Sequence, residues 1–218
     1  MVGTVHSPAG LRGAKPEWID VAEIRVDCLP EPPGLTGLEE LCVPGIVTVR
    51  DPLEGGSLPL GAGERQDLYL ELLPGAAAID IEARNLQAFR RVVNAAAGYS
   101  VPVIASCHDF SGVPKAAAAL KIVQKARDQG AMCVKIAATV STPAELGALI
   151  ALAGVLPRPF SLMGMGALGR VSRLALAGCG SCLNYGWLGS PQVPGQWPAR
   201  ELRSLILRAM ACSSAQSS

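Results

Sequence analysis

Val103-Ile104-Ala105-Ser106-Cys107-His108 and Cys133-Val134-Lys135-Ile136-Ala137 are two short apolar runs, and a helical pattern over 114–129 lies between them. The pattern begins with Pro114 and is followed by Gly130, which is the order expected of helix start and stop signals. Each run is too short for a helix and is rich in β-branched or small residues, so both are predicted strands. Together they predict a βαβ unit with two parallel strands.

The same unit recurs along the chain. Eight strands alternating with helices predict a single (β/α)8 TIM barrel, with residues 1–211 as its one catalytic domain and 212–218 as a disordered tail. An open doubly wound sheet is the alternative, but polar residues follow many different strands, and a barrel gathers such residues into one site. The segment 7–20 is short for a full helix, so the first β-to-β connection is expected to be abbreviated. The predicted strands are 2–5, 22–27, 45–50, 77–82, 101–108, 132–137, 159–164 and 178–184.

Charge and hydropathy exclude several classes of partner. The 218 residues include 19 basic and 18 acidic ones, and this balance argues against a nucleic-acid or membrane-surface partner. The longest apolar stretch, 146–156, is too short to span a bilayer. The N-terminus lacks the basic flank and apolar core of a secretion signal, so a cytoplasmic protein is expected. Seven cysteines, mostly in or beside apolar runs, then favour a reduced, disulfide-free chain.

Two motifs match well-known signatures without their supporting residues. Gly164-Met165-Gly166-Ala167-Leu168-Gly169 fits the dinucleotide-binding glycine pattern, but no acidic residue lies between Glu145 and Glu201 to bind a ribose. Cys179-Gly180-Ser181-Cys182 resembles a cysteine-protease or redox signature, yet both histidines of the chain lie upstream of it. We interpret its residues as small strand residues that face the barrel interior.

Lys135 and His108 are the strongest candidates for catalysis. A lysine inside a buried strand is costly unless its amine is neutral or paired. Burial and a neighbouring cation lower the pKa of an amine, which makes it a nucleophile. A histidine beside it can move protons near neutral pH. The pair predicts imine chemistry on a carbonyl substrate.

Charged residues also follow other predicted strands. Glu23-Ile24-Arg25-Val26-Asp27 places three charges on one face of a strand, because side chains alternate. A parallel strand covered by helices has no face in water, so these charges need partners or a polar ligand. A Pro/Gly-rich loop at 192–197 is expected to cover the barrel mouth as a lid. Further polar residues at or after strand ends are Arg50, Glu54, Asp80, Glu82, Arg170 and Arg173.

Eight short segments along the chain form one ordered set of motifs: Glu23-x-Arg25-x-Asp27, Thr48-x-Arg50, Glu54-Gly55-Gly56, Asp80-Ile81-Glu82, Ser106-Cys107-His108-Asp109-Phe110, Val134-Lys135-Ile136-Ala137, Gly169-Arg170-Val171-Ser172-Arg173 and Pro194-Gly195-Gln196. In this order and spacing, they resemble the motifs of the type I 3-dehydroquinate dehydratases over nearly the whole chain. Cys107 departs from the family, which usually has tyrosine or asparagine there, and the chain is shorter than many bacterial members.

The resemblance implies an imine dehydration of 3-dehydroquinate to 3-dehydroshikimate, in the shikimate pathway of aromatic amino-acid biosynthesis, without metal or cofactor, by a homodimer. Lys135 would form the imine, and His108 would be the general acid and base, oriented by Glu54. Arg173 would pair with the substrate carboxylate. The remaining expected substrate contacts are Glu23, Arg25 and Arg50 at the floor, and Gln196 and Gln192 from the lid, where members often have serine at the position of Gln192.

Two other functions stay open from the residues alone. A class I aldolase also uses a barrel lysine, but it would break a carbon–carbon bond and would often need a phosphate site. A barrel that binds a hydroxy acid as a sensor would tolerate the loss of Lys135 and His108. Cleavage of phosphorylated sugars would indicate the aldolase, whereas binding without turnover would indicate the sensor.

Overall fold

The structure, a computed structural model, describes residues 1–30, 34–191 and 194–214. Its strands form one parallel sheet in the order β7-β6-β5-β4-β3-β2-β1-β8, with helices between successive strands. The expected (β/α)8 barrel is thereby confirmed. The strands are β1 Val2–Val5, β2 Val21–Arg25, β3 Gly45–Thr48, β4 Ala78–Glu82, β5 Val103–Asp109, β6 Cys133–Thr139, β7 Phe160–Met165 and β8 Tyr185–Leu188.

The helices lie outside the sheet and differ widely in length. Helix α1 has only five residues, so the abbreviated first connection is confirmed, and α2 is equally short. Thr142 and Glu145 form a capping box at the start of α6. The last helix runs to Ser214. The helices are α1 Pro8–Arg12, α2 Leu35–Glu39, α3 Ala62–Leu72, α4 Arg90–Gly98, α5 Ala116–Asp128, α6 Pro143–Ala153, α7 Gly169–Gly178 and α8 Ala199–Ser214. None of these helices has both the length and the apolar character needed to cross a bilayer.

Seven of the eight predicted strands coincide with observed strands to within two residues at each end, but the eighth prediction was wrong. Residues 179–184 form the turn after α7, and β8 begins only at Tyr185. Gly180 has a left-handed backbone (φ +94°), which interrupts an extended strand. Cys182 is exposed, so the interior position expected for the cysteine motif was also wrong.

The barrel seam between β7 and β8 is closed differently from the other strand pairs. Within the described residues, no strand ladder joins these two strands. The backbone N–H of Cys182 instead donates to the Phe160 carbonyl at 2.9 Å, and the Ser161 hydroxyl donates to the Leu183 carbonyl at 2.7 Å. The seam therefore depends on the turn before β8 and on side-chain hydrogen bonds.

Side chains that face the barrel axis change in character from one end to the other. At the amino-terminal ends of the strands they are apolar, and Ile46, Ala78, Ile104 and Cys133 belong to one buried cluster. Because side chains alternate, the next inward positions are two residues further along each strand. Those positions carry charged and hydroxyl groups, so the site lies at the carboxyl ends of the strands, as in other barrels of this type. The larger apolar core fills the space between sheet and helices.

Candidate active site

A cavity of about 420 Å³ lies at the carboxyl ends of the strands. Among the described residues, every predicted substrate contact and both catalytic candidates line it, whereas Gln192 lies outside the described residues. Glu54 lies behind the cavity wall, against His108. The predicted residues that line the cavity are Glu23, Arg25, Arg50, His108, Lys135, Arg173 and Gln196.

Lys135 lies at the cavity floor with only 3% of its surface exposed. Its Nζ donates to Glu23 Oε1 at 3.0 Å and to Asp80 Oδ2 at 2.8 Å. The Tyr185 ring faces the same nitrogen, with its centroid 4.3 Å away. Two carboxylates and an aromatic face thus hold the amine in one position. A fixed position favours reaction, because the reacting atoms must meet in a defined geometry.

Asp80 is shared between Lys135 and Arg50. The guanidinium of Arg50 contacts Asp80 Oδ1 and Glu82 Oε1, each at 2.9 Å, and donates to the Ser106 hydroxyl at 2.6 Å. Burial alone would raise the pKa of Asp80, but the charges of Arg50 and Lys135 outweigh it and lower that pKa. Asp80 therefore stays ionised and anchors both cations.

Alternating charges continue from this cluster to the histidine. Starting at Lys135, each group contacts the next at 2.8 to 3.1 Å, so eight contacts join the amine to the imidazole. We call this set the ionic chain, and its members in order are Lys135, Asp80, Arg50, Glu82, Arg65, Asp51, Arg84, Glu54 and His108.

His108 ends the ionic chain on the cavity wall. Glu54 Oε2 lies 3.0 Å from its Nδ1 and accepts a hydrogen bond from its backbone N–H at 3.0 Å. Burial and the charges of Arg50 and Lys135 lower the pKa of His108 well below its ordinary value, so the ring is neutral at pH 7. Burial raises the pKa of Glu54, which strengthens it as a hydrogen-bond acceptor. A proton on Nδ1 would leave Nε2 free to act as a base.

Arg173 differs from the other buried cations of the site. It lies on α7, is 3% exposed and donates to the carbonyl oxygens of Gly164 and Gly195, each at 2.7 Å. Among the residues that the structure describes, no carboxylate forms an ion pair with it. Burial lowers its pKa to about 10, and an anionic ligand would relieve this unfavourable burial of charge.

Gly169 and Gly195 allow the loop after β8 to pack closely against the 164–169 segment. A Cβ on Gly169 would lie 2.8 Å from the Gly195 carbonyl oxygen, and one on Gly195 would lie 2.3 Å from that of Gly166. Arg170 forms two hydrogen bonds with the same loop. Its Nε donates to the Gln196 carbonyl at 3.3 Å, and its own carbonyl accepts from Trp197 Nε1 at 2.9 Å. These contacts place Gln196 at the cavity mouth.

Comparison with known proteins assigns the family. A family model described as type I 3-dehydroquinase matches residues 8–211. The chain belongs to this family. A 3-dehydroquinate dehydratase from Methanothrix thermoacetophila is 33% identical over 194 residues, covering 88% of this chain and 83% of the relative. Family members are hydro-lyases, and the resemblance drawn from the sequence motifs is confirmed.

Solved structures of the family have the same fold. The crystal structure of 3-dehydroquinate dehydratase from Geobacillus kaustophilus superposes with a TM-score of 0.86 at 24% identity, covering 96% of this chain and 90% of that chain. A type I 3-dehydroquinate dehydratase from Clostridium difficile, described with covalently modified comenic acid, gives a TM-score of 0.78 at 27% identity, covering 89% of this chain and 83% of that chain.

Sequence reasoning missed several members of the dehydratase-type site. Asp51, Arg65 and Arg84 lie in loop and helix segments, where charged residues are usually solvated, and only the fold brings them to Glu82 and Glu54. Tyr185 was missed because β8 was placed too early. The alternation of charged and apolar residues in Asp80-Ile81-Glu82 is the signal that could have placed Asp80 beside Lys135.

Replacing Asp80 should destabilise the fold far more than replacing an exposed carboxylate. Asp80→Ala leaves Arg50 and Lys135 partly unpaired inside the barrel, so we expect a loss of about 3–5 kcal/mol in the free energy of unfolding. Urea unfolding measures this change. The matched control is Asp67→Ala, which removes a 3.9 Å pair with Arg91 whose two side chains are 76% and 75% exposed. That control should cost about 0–1 kcal/mol.

The same comparison has a pH dependence. Since the pKa of Asp80 is lowered in the folded protein, its stabilisation is present above its unfolded pKa and is lost as pH falls through the folded value. The stability difference between wild type and Asp80→Ala should therefore shrink below about pH 4. Equal costs for Asp80→Ala and Asp67→Ala at pH 7 would contradict the central position of Asp80.

Proposed function

We propose that this protein is a 3-dehydroquinate dehydratase that forms 3-dehydroshikimate and water through an imine on Lys135. The observation that carries the proposal is that one cavity is lined by a fixed amine, a neutral histidine and a buried guanidinium that has no carboxylate partner among the described residues. A carboxylated ketone with a leaving hydroxyl group matches all three. Family membership supports the same substrate.

The first steps form the imine. After a proton has left Nζ, the amine of Lys135 attacks the substrate ketone, and the carbonyl oxygen departs as water. The product is a protonated imine, which withdraws electrons from the neighbouring carbon and makes its C–H bond acidic. The neutral ring of His108 lines the same cavity and is available to exchange protons in these steps.

Elimination follows from the same two residues. His108 removes the activated proton, and the electron pair forms an enamine. The enamine expels the hydroxyl group on the next carbon, and the proton held by His108 converts it to water. Hydrolysis of the imine then releases 3-dehydroshikimate and restores the amine of Lys135. Glu54 acts through His108 by holding its Nδ1.

The remaining residues bind the substrate. Arg173 pairs with its carboxylate, which a guanidinium can grip with two hydrogen bonds. Glu23, Arg25 and Arg50 contact substrate hydroxyl groups, with Arg25 already held by Asp27 at 2.7 Å. Gln196, and Gln192 in the segment outside the described residues, contact substrate from the lid.

The physiological setting is part of the same proposal. The enzyme would act in the cytoplasm, in the shikimate pathway of aromatic amino-acid biosynthesis, and it would use no metal or organic cofactor. We further propose a homodimer of barrels in which residues 1–211 form the catalytic domain and 212–218 form a tail. Its ligand would be the small-molecule substrate, and it would bind neither nucleic acid nor a membrane.

Trapping the imine tests the function and the mechanism together. Borohydride reduces an imine to a stable amine, so incubation with 3-dehydroquinate and borohydride should leave an adduct on Lys135, located by peptide mass spectrometry. We expect Lys135→Ala to lose the adduct and about 10³-fold or more of the turnover. The exposed Lys121 is the matched control, and Lys121→Ala should retain both. Conjugated product without an adduct would exclude the imine, and the absence of both would exclude the dehydratase.

Arg173→Ala should weaken substrate binding through the carboxylate. Loss of a charge-assisted pair costs about 1.5–3 kcal/mol, so the KM should rise about 10- to 150-fold. Steady-state kinetics with 3-dehydroquinate measure this, and thermal melting checks the fold. The control is the carboxamide of 3-dehydroquinate, whose binding should change little in the variant. A similar loss for acid and amide would show that Arg173 only supports the backbone of the site.

A further inference from the structure

Two free cysteines meet at the end of the barrel opposite the active site. The sulfur atoms of Cys133 and Cys182 lie 3.6 Å apart, which is thiol–thiol contact without a covalent bond. Cys133 begins β6, two residues before Lys135, and Cys182 lies in the turn before β8. Neither thiol takes part in the chemistry proposed above.

The two thiols differ in exposure. Cys133 is buried with 3% of its surface exposed, whereas Cys182 is an exposed residue. An apolar cavity of about 320 Å³, separate from the active site, is lined by both cysteines together with Ile104, Met132 and Leu183. An oxidant from solvent can therefore reach Cys182 first, and the buried Cys133 lies in contact with it.

The surroundings of Cys182 favour its thiolate. The hydrogen bond with Cys133, the backbone amides of Cys182 and Leu183, and the charge of Arg158 together lower the pKa of Cys182 to about 7, against the effect of burial. The guanidinium of Arg158 is held near this turn by the carbonyl oxygens of Gly180 at 3.3 Å and Cys179 at 3.4 Å. For Cys133, the hydrogen bond to Cys182 and burial both raise the pKa. An accessible thiolate beside a protonated partner is the usual arrangement of a redox-sensitive pair.

We propose that Cys182 and Cys133 are an oxidation-sensitive thiol pair that forms a disulfide when the protein meets a peroxide. The Cys182 thiolate attacks one oxygen of hydrogen peroxide and becomes a sulfenic acid, and the other oxygen leaves as water after taking a proton. The Cys133 sulfur then attacks the sulfenic sulfur and displaces its hydroxyl, which leaves as a second water with the Cys133 proton. In sum, two thiols are oxidised by two electrons and one peroxide is reduced to two waters.

Disulfide formation requires only a modest movement. The sulfur atoms must approach from 3.6 Å to about 2.0 Å, and because Cys133 is held in a strand ladder we expect Cys182 to make most of this movement. The bond would join β6 to the turn that closes the β7–β8 seam. It would also be reversible, since a reductant restores both thiols, which agrees with a chain that is reduced at rest.

Peroxide treatment followed by peptide mapping tests the proposal. Reduced protein is exposed to hydrogen peroxide, remaining thiols are blocked with N-ethylmaleimide, and the protein is digested with trypsin without reductant. Cys133 falls in the peptide 128–135, and Cys182 falls in 174–200 together with Cys179. We expect these two peptides to be linked, with the loss of two hydrogen atoms, and dithiothreitol should separate them.

Variants identify which sulfur of the second peptide reacts. Cys182→Ser should abolish the link, whereas the matched control Cys179→Ser, three residues away in the same turn, should retain it. In Cys133→Ser, dimedone should trap a sulfenic acid on Cys182. A Cys179–Cys182 bond, or peroxide oxidation of other thiols while Cys133 and Cys182 stay unlinked, would overturn the proposal. Wild-type mapping needs no variant to fold, and none of these results depends on the proposed dehydration.

Discussion

The contact of Asp80 with both Lys135 and Arg50 is the interaction on which the site depends. The strands of a parallel barrel have no solvent-exposed face. Burial of a charge on the inner face therefore costs free energy unless an opposite charge lies within the barrel. Asp80 meets that requirement for two cations at once, at 2.8 and 2.9 Å. Along the ionic chain, the same pairing of opposite charges continues from the cavity floor to His108 on the cavity wall.

This arrangement also sets the chemistry of the site. Burial and the charges of Arg50 and Lys135 lower the pKa of His108, so the ring is neutral and free to accept a proton. Glu23 and Asp80 fix the amine of Lys135, and Glu54 fixes the imidazole, so little reorganisation would be required on binding of a ketone. Arg173 differs from these cations, because its hydrogen-bond partners among the described residues are backbone carbonyl oxygens. In our proposal, the carboxylate of the substrate supplies the partner that the described residues do not.

Features that depend on residues close together in sequence could be predicted, whereas contacts between residues far apart in sequence could not. Strand periodicity and the cost of a buried Lys135 are local signals, and they predicted most strands and the placing of Lys135 and His108 in one cavity. The eighth strand failed because small apolar residues at 178–184 matched a buried strand, while the left-handed Gly180 interrupts it. The contacts of Arg65 and Arg84, and the meeting of Cys133 with Cys182, join segments far apart in sequence and depend on closure of the barrel.

The most direct test of this account is the protonation state of His108, measured by nitrogen-15 NMR of the imidazole at pH 7 without substrate. The chain has only two histidines, so the His108→Ala variant assigns both rings. We expect a neutral ring with its proton on Nδ1, and loss of that preference in Glu54→Gln. An imidazolium at pH 7, or a neutral ring protonated on Nε2, would contradict the claim that the ionic chain prepares His108 as the base.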